Sequence, residues 1–168
     1  MRNPNSRTAA SARAFGLCLA LAFTLSCAAP GDEPVDARAA PDAIQQKIAQ
    51  YTAAVDAADI ELASQVWLTS PDISFINPAG HAHGWEEVQE IYKFFAASFS
   101  ERKLTAHDVA VHVHGDSAWA EFYWQFDATQ SKDGAAVQNK GRETQIYNWV
   151  EGRWQLVHVH YSGPAMTF

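Results

Sequence analysis

Residues 104–162 hold four long runs of strand-forming residues in succession: Leu104–His114, Ser117–Gln130, Val137–Val150 and Arg153–Ser162. The connections are short, with Gly115-Asp116 after the first run and Glu151-Gly152 before the last. They leave no room for a crossover helix, so the runs must pair antiparallel. An X-Gly dipeptide between two such runs marks a tight hairpin. Any fold for this chain has to accommodate an antiparallel meander near its C-terminal end.

The elements before the meander read as helices. Pro41-Asp42-Ala43 opens the first, and Ile44, Ile48, Tyr51 and Val55 fall on one helical face. A second, short helix follows Asp59, with Leu62, Val66 and Trp67 as its apolar side. Asp72–Ile76 is a short strand stopped by Asn77-Pro78-Ala79-Gly80. Gly84 precedes a third helix, Trp85–Phe99, whose buried face is Val88, Ile91, Tyr92, Phe95 and Phe99. Helices first and strands afterwards imply an α+β fold with the helices on one face of the sheet. In the second long run, Phe122, Trp124 and Phe126 share one face, while Trp119, Glu121, Tyr123 and Gln125 share the other. A strand apolar on both faces is covered on both sides. The helices cover one; a second copy of the chain is the expected cover for the other, as a homodimer or higher oligomer.

The first 27 residues have the order of an export signal. Arg2, Arg7 and Arg13 precede the apolar run Ala14–Leu25, whose 12 residues are too few to span a bilayer. Leu-Ser-Cys at its end resembles a lipoprotein signal, with Cys27 lipidated; cleavage after Ala28 or Ala29 is the competing outcome. Residues 28–41, rich in Pro, Ala and Asp, read as a flexible linker, and residues 42–168 as one domain. The protein is therefore expected to be exported, periplasmic or anchored to the membrane by lipid alone. Both cysteines lie in the signal, which leaves no disulfide and no thiol nucleophile in the domain. Without the signal, 9 basic residues face 19 acidic ones. A chain this acidic, with no basic cluster, is a poor partner for nucleic acid.

The order helix, helix, short strand near Asn-Pro, Gly84, helix and four long strands resembles the nuclear-transport-factor-2-like superfamily. The similarity is strongest over Glu143-Thr144, Gly152–His160 and Ser162-Gly163-Pro164. The SnoaL-like group and the association (hub) domain of calcium/calmodulin-dependent protein kinase II are the relatives it resembles most. The resemblance implies a cystatin-like roll: a cone of curved antiparallel sheet packed on three N-terminal helices around a pocket. The superfamily hosts isomerases, cyclases, dehydratases and binding or assembly modules, so fold alone does not choose a function. Where the hub domain carries pocket arginines, this chain has Trp124, Gln145 and Tyr161. A guanidinium suits a carboxylate guest. An indole, an amide and a phenol suit a neutral, flat or partly apolar one.

Within that frame Glu143, Gln145 and Tyr147 share a strand face, and Val157, Val159 and Tyr161 share the pocket face of the next strand. Glu143 in an aromatic cavity is the candidate catalytic carboxylate, with Tyr161 or Tyr147 as donor to a developing oxyanion. Alternatively Glu143 only pairs with Arg142 or Arg102 and faces water. Trp124, Gln145, Tyr147, Tyr92 and Trp67 form the expected ligand-binding set. Six of the seven histidines fall in His-x-His pairs: His81/His83, His112/His114 and His158/His160. Such pairs can clamp Zn²⁺. The strand order of the resembled fold, however, sets the second pair roughly 14 Å from the third, counting about 4.8 Å per strand. Neither a metal nor a cofactor is expected. No phosphate-binding glycine loop and no Gly-x-Ser-x-Gly elbow is present. The expectation is an oligomeric domain binding a small, neutral, hydrophobic or aromatic ligand. One alternative is a cofactor-free isomerase, dehydratase or cyclase, and another is a non-catalytic assembly module.

Overall fold

The computed structural model describes residues 40–163. The export signal, Cys27 and most of the linker lie outside the described residues. Helix α1 spans Ala40–Ala57, starting two residues inside the expected linker, and buries Ile44, Ile48, Tyr51 and Val55. Helix α2, Ile60–Ser64, is capped by Asp59, whose Oδ1 accepts from Glu61 N at 2.8 Å and Leu62 N at 3.1 Å. Val66 and Trp67 lie beyond its end. There Leu156 N donates to Val66 O and Leu68 N to Leu156 O, each at 2.9 Å, which ties the segment to the last strand.

Strand β1 is Ser74–Asn77. The sequence from Gly80, expected to be a loop, forms strand β2, Gly80–His83, antiparallel to β1. Asn77 turns the chain between them, its Oδ1 accepting from Ala79 N and Gly80 N. Helix α3, Gly84–Ser98, ends one residue before the expected Phe99, which opens strand β3, Phe99–His114. Strands β4, Ser117–Gln130, β5, Ala136–Val150, and β6, Arg153–Ser162, complete the meander. The hairpin from β5 to β6 has positive φ at Glu151 and Gly152, as a two-residue I′ turn requires.

The sheet order is β2-β1-β6-β5-β4-β3. All neighbours are antiparallel except β1 and β6, which run parallel. The helices pack on the inner face, where Phe122, Trp124, Tyr147, Leu156 and Val159 join Ile44, Tyr51 and Val88 in one core. The fold is thus the α+β arrangement that the element order implied, with the curved sheet on N-terminal helices that the resemblance implied. One register detail departs from simple alternation. Ile146 pairs with His158 but Tyr147 with Leu156, so Val157 is an inserted residue. The bulge turns Leu156, rather than the expected Val157, to the inner face.

Candidate active site

Between α1, α3 and the sheet lies a cavity of about 400 Å³. Tyr51, Phe75, Phe95, Trp124, Phe126 and Tyr161 supply most of its aromatic wall, and Phe94, 58% exposed, stands at its rim. Its polar lining residues are Glu143, Asn139 and the two tyrosines; among the described residues no Lys, Arg or His lines it.

Glu143 projects from the inner face of β5, only 3% exposed. The next inward residues on that strand, Gln145 and Tyr147, are fully buried. They form a chain of donors: Tyr147 hydroxyl donates to Gln145 Oε1, and Gln145 Nε2 donates to Glu143 Oε1 at 2.7 Å. The alternation of a strand makes this chain possible, since positions i, i+2 and i+4 stack along one face. Among the described residues no cation pairs with Glu143. Arg142 points to the opposite, exposed face. Arg102 donates instead to the carbonyl oxygens of Asp56, Phe95 and Phe99. The expected alternative of a solvated, ion-paired Glu143 therefore fails.

Burial raises the Glu143 carboxyl to about 8, against the pull of donors on Gln145 and Tyr51 that favour the ionised form. Tyr51 is pushed well above its ordinary value, first by burial and then by Glu143. Tyr161 is raised by the same two causes. Both phenols thus stay protonated, and Tyr51 donates to the Glu143 carboxyl. Tyr161 is the cross-strand partner of Glu143, and its ring meets Trp124 edge-on at 5.3 Å and Phe75 at 5.7 Å. A carboxyl group that titrates near neutrality, in a largely apolar cavity with a phenol beside it, can move a proton and stabilise a developing oxyanion.

Of the residues singled out from sequence, Trp124, Glu143 and Tyr161 meet on the cavity wall. Gln145, Tyr147, Trp67 and Tyr92 stand behind it. Trp67 packs at the back of Tyr51 and Phe75, with ring centroids 6.5 and 6.2 Å away, and its Nε1 donates to Tyr92 hydroxyl at 3.2 Å. That bond uses the only donor of Trp67, and neither buried ring lines the cavity. Gln145 and Tyr147 act on the site through Glu143.

Sequence reasoning missed Tyr51 and Asn139 as wall residues, and it missed Gly141. Tyr51 shares the helical period of the core, and that period does not separate core from cavity. Gly141 is the cross-strand partner of Trp124. A Cβ there would lie 1.9 Å from Ser162 O and 2.9 Å from the Trp124 ring. The glycine lets the indole and the end of β6 close over β5. Its only signal was a glycine inside a strand pattern, which marks close backbone approach.

The histidines lie elsewhere, on the outer face. His158 Nδ1 shares a 2.7 Å hydrogen bond with Ser74 Oγ, and His81 and His83 stack at 3.7 Å. Among the described residues no three His, Asp or Glu side chains are grouped to hold a metal ion.

A protein of the nuclear transport factor 2-like superfamily from Salmonella enterica serovar Typhimurium is similar to this chain. The two are 40% identical over 74% of this chain and 91% of that one, with a TM-score of 0.72. A candidate dehydratase of the same family from Streptomyces avermitilis is 20% identical, covering 75% and 97%, with a TM-score of 0.69. An uncharacterised cystatin-like-fold protein from Caulobacter vibrioides is 23% identical, covering 74% and 89%, with a TM-score of 0.63. A search among curated proteins finds no match. Residues 44–166 match the SnoaL-like domain. The chain belongs to the SnoaL-like family of the nuclear-transport-factor-2-like superfamily.

Proposed function

We propose that this protein is a cofactor-independent lyase or isomerase acting on a small, neutral, hydrophobic or aromatic substrate, with Glu143 as the proton-transfer group. The carrying observation is that Glu143 lines the cavity, buried, with neutral hydrogen-bond donors and, among the described residues, no cation. A carboxylate placed only for stability gains nothing from such a setting, because burial penalises its charge. Gln145 Nε2 holds Oε1 and the Tyr51 hydroxyl is a second donor, so the carboxyl is oriented from two sides on the cavity wall. Tyr161 hydroxyl is the oxyanion donor. Tyr147, the other phenol considered for that role, is the far end of the chain that orients Glu143. The absence of cations from the lining among the described residues supports a neutral substrate, since an anion would enter unpaired. The name of the Streptomyces avermitilis neighbour lends support at the level of fold alone.

Binding without turnover is the second reading. The exposed Phe94 at the rim favours it, as an apolar lip suits capture of a greasy guest. Both readings include a homo-oligomer, export, and lipidation at Cys27 with the membrane reached through that anchor alone. Solvent-deuterium incorporation into a panel of neutral aryl ketones and β-hydroxy ketones separates the two. Wild type should exchange the acidic C–H at least a hundredfold faster than E143Q. Equal rates would remove Glu143 from the mechanism and leave binding.

A further inference from the structure

Among the described residues two indole N–H groups are buried, closed to water and without a hydrogen-bond partner: those of Trp124 and Trp149. Trp149 packs edge-on against Trp154 at 5.4 Å and does not line the cavity. Trp124 does, and it is only 6% exposed. Trp67 supplies the contrast. It stands behind the same wall, and its Nε1 donates to Tyr92 hydroxyl at 3.2 Å. Native folds seldom leave a buried donor unpaired, and each one calls for a reason. Packing does not supply it here, because a phenylalanine would fill most of the same wall and orphan nothing.

The edge of the indole that carries the N–H can be located. Cζ2, two bonds from Nε1, would lie 2.9 Å from a Cβ on Gly141, a point also 3.0 Å from Gly163 O. That edge therefore faces the end of β6, where Tyr161 and Gly163 line the cavity. The Tyr161 ring meets the indole nearly perpendicular, with centroids 5.3 Å apart. Tyr161 is directly opposite Glu143 in the sheet. Trp124 is diagonal to Glu143, whose partner on β4 is Phe122. Diagonal neighbours lie about 7–8 Å apart. Indole, phenol and carboxyl thus surround one corner of the cavity.

Resting on the reading of Glu143 as the proton-transfer group, we infer that Trp124 is a substrate-binding residue. Its Nε1–H and the Tyr161 hydroxyl together hold a carbonyl oxygen, and the substrate is a neutral aromatic ketone. An indole N–H donates and never accepts, so the guest must bring an acceptor. A carbonyl oxygen has two lone pairs and takes both donors. A donor that water does not reach has no hydration to lose when the guest arrives, so its bond adds more affinity than one between solvated groups. With the oxygen held there, the carbon beside the carbonyl lies toward Glu143. The carboxylate takes the proton from that carbon. The C–H electron pair becomes the enolate double bond, and the carbonyl pair moves onto oxygen, where the two donors stabilise it. The proton then passes from Glu143 to another enolate carbon, which isomerises the guest, or to a β-hydroxyl. In that case the carbonyl re-forms and the hydroxyl leaves as water.

NMR of the indole N–H groups in the purified protein, with acetylnaphthalene as probe, tests this. Isopropenylnaphthalene is the control, a guest of the same shape with CH₂ in place of the oxygen. The six tryptophans give six indole signals, and the one missing from W124F belongs to Trp124. The ketone should move that signal downfield and the alkene should leave it in place. W124F should bind the ketone about tenfold more weakly, about 1.4 kcal/mol, and the alkene within about twofold of wild type. An equal loss for both guests, or a Trp124 signal that ignores the bound ketone, overturns the hydrogen bond and leaves the Glu143 reading standing. A signal already downfield in the free protein overturns it too, because Ser162 O or Gly163 O would then be the partner. Should W124F fail to fold, wild type decides. One indole signal moving with the ketone and none with the alkene supports the proposal; none moving with either bound guest overturns it. A wild type that binds neither guest overturns the proposal and the neutral-guest reading together. Equal deuterium exchange in wild type and E143Q would leave the ketone-induced shift in place, so the two readings fail separately.

Discussion

Glu143 is a buried carboxyl whose folded-state value, about 8, exceeds its ordinary 4.5. Between those values the folded protein binds more protons than the unfolded chain. Its contribution to stability is therefore fully present below about 4.5 and declines as pH rises to about 8. The slope at its steepest is about 1.4 kcal/mol per pH unit. E143Q keeps the shape and removes the charge. It should match wild type near pH 4.5 and be more stable by a few times about 1.4 kcal/mol near pH 8, as read from urea midpoints across the range. On the proposed mechanism the same group sets the rate with the opposite sign: if its carboxylate abstracts the proton, kcat/KM rises with pH and levels off above about 8. A profile falling through that value would make the protonated carboxyl the working form, as an acid rather than a base.

Strand β5 carries the site and depends on how β6 closes over it. Gly141 is the narrowest point, with no room for a methyl group between Ser162 O and the Trp124 ring. G141A should destabilise the fold by about 2 kcal/mol, in the range of overpacked cores. It should also displace Trp124, which a shift in tryptophan emission would report. Retention of both melting temperature and emission would mean that the strand end is slack. Helix α2 makes a smaller test. D59A removes the cap on Glu61 N and Leu62 N and should cost about 1 kcal/mol in a thermal melt, with the cavity untouched. These elements show what the sequence makes legible. Turn chemistry at Glu151-Gly152 and the Ile44-Ile48-Tyr51-Val55 period follow from local rules, so the hairpin and α1 were readable. The bulge at Val157 was not, because Leu156 and Val157 are both apolar and only the partner strand decides which turns inward. Strand β2 was hidden for a related reason. Gly80-His81-Ala82-His83 has little strand propensity and is held by its pairing with β1. Glu143 and Tyr161 could be placed by alternation once the resemblance had put the pocket on the inner face. Tyr92 and Trp67 could not, since which of the buried aromatics borders empty space is a property of the assembled core.

At the scale of the whole molecule, the cone makes one cavity wall out of α1, α3, β1 and all four long strands. A guest that fills it touches every layer and stabilises the fold by mass action, about 2.7 kcal/mol at a hundred times its Kd. The cavity's chemistry then ties affinity to pH. A neutral guest that displaces water from beside Glu143 deepens the desolvation that already raises its carboxyl. Binding and protonation are reciprocal, so the guest binds the protonated protein more tightly. Affinity for a neutral aromatic ligand should be level below about pH 7 and weaken roughly tenfold per pH unit at most above about 8, until the guest-bound carboxyl also ionises. E143Q should bind at one affinity throughout. An aryl carboxylate of the same size should bind weakly to wild type at every pH, because among the described residues no lining cation receives it. Titration calorimetry of a naphthol-sized neutral ligand and its carboxylate analogue, from pH 6 to 9, measures all three. A neutral ligand whose affinity in wild type ignores pH would show that its ring sits away from Glu143, toward Phe94 and the rim, and the carboxyl would then be no part of recognition.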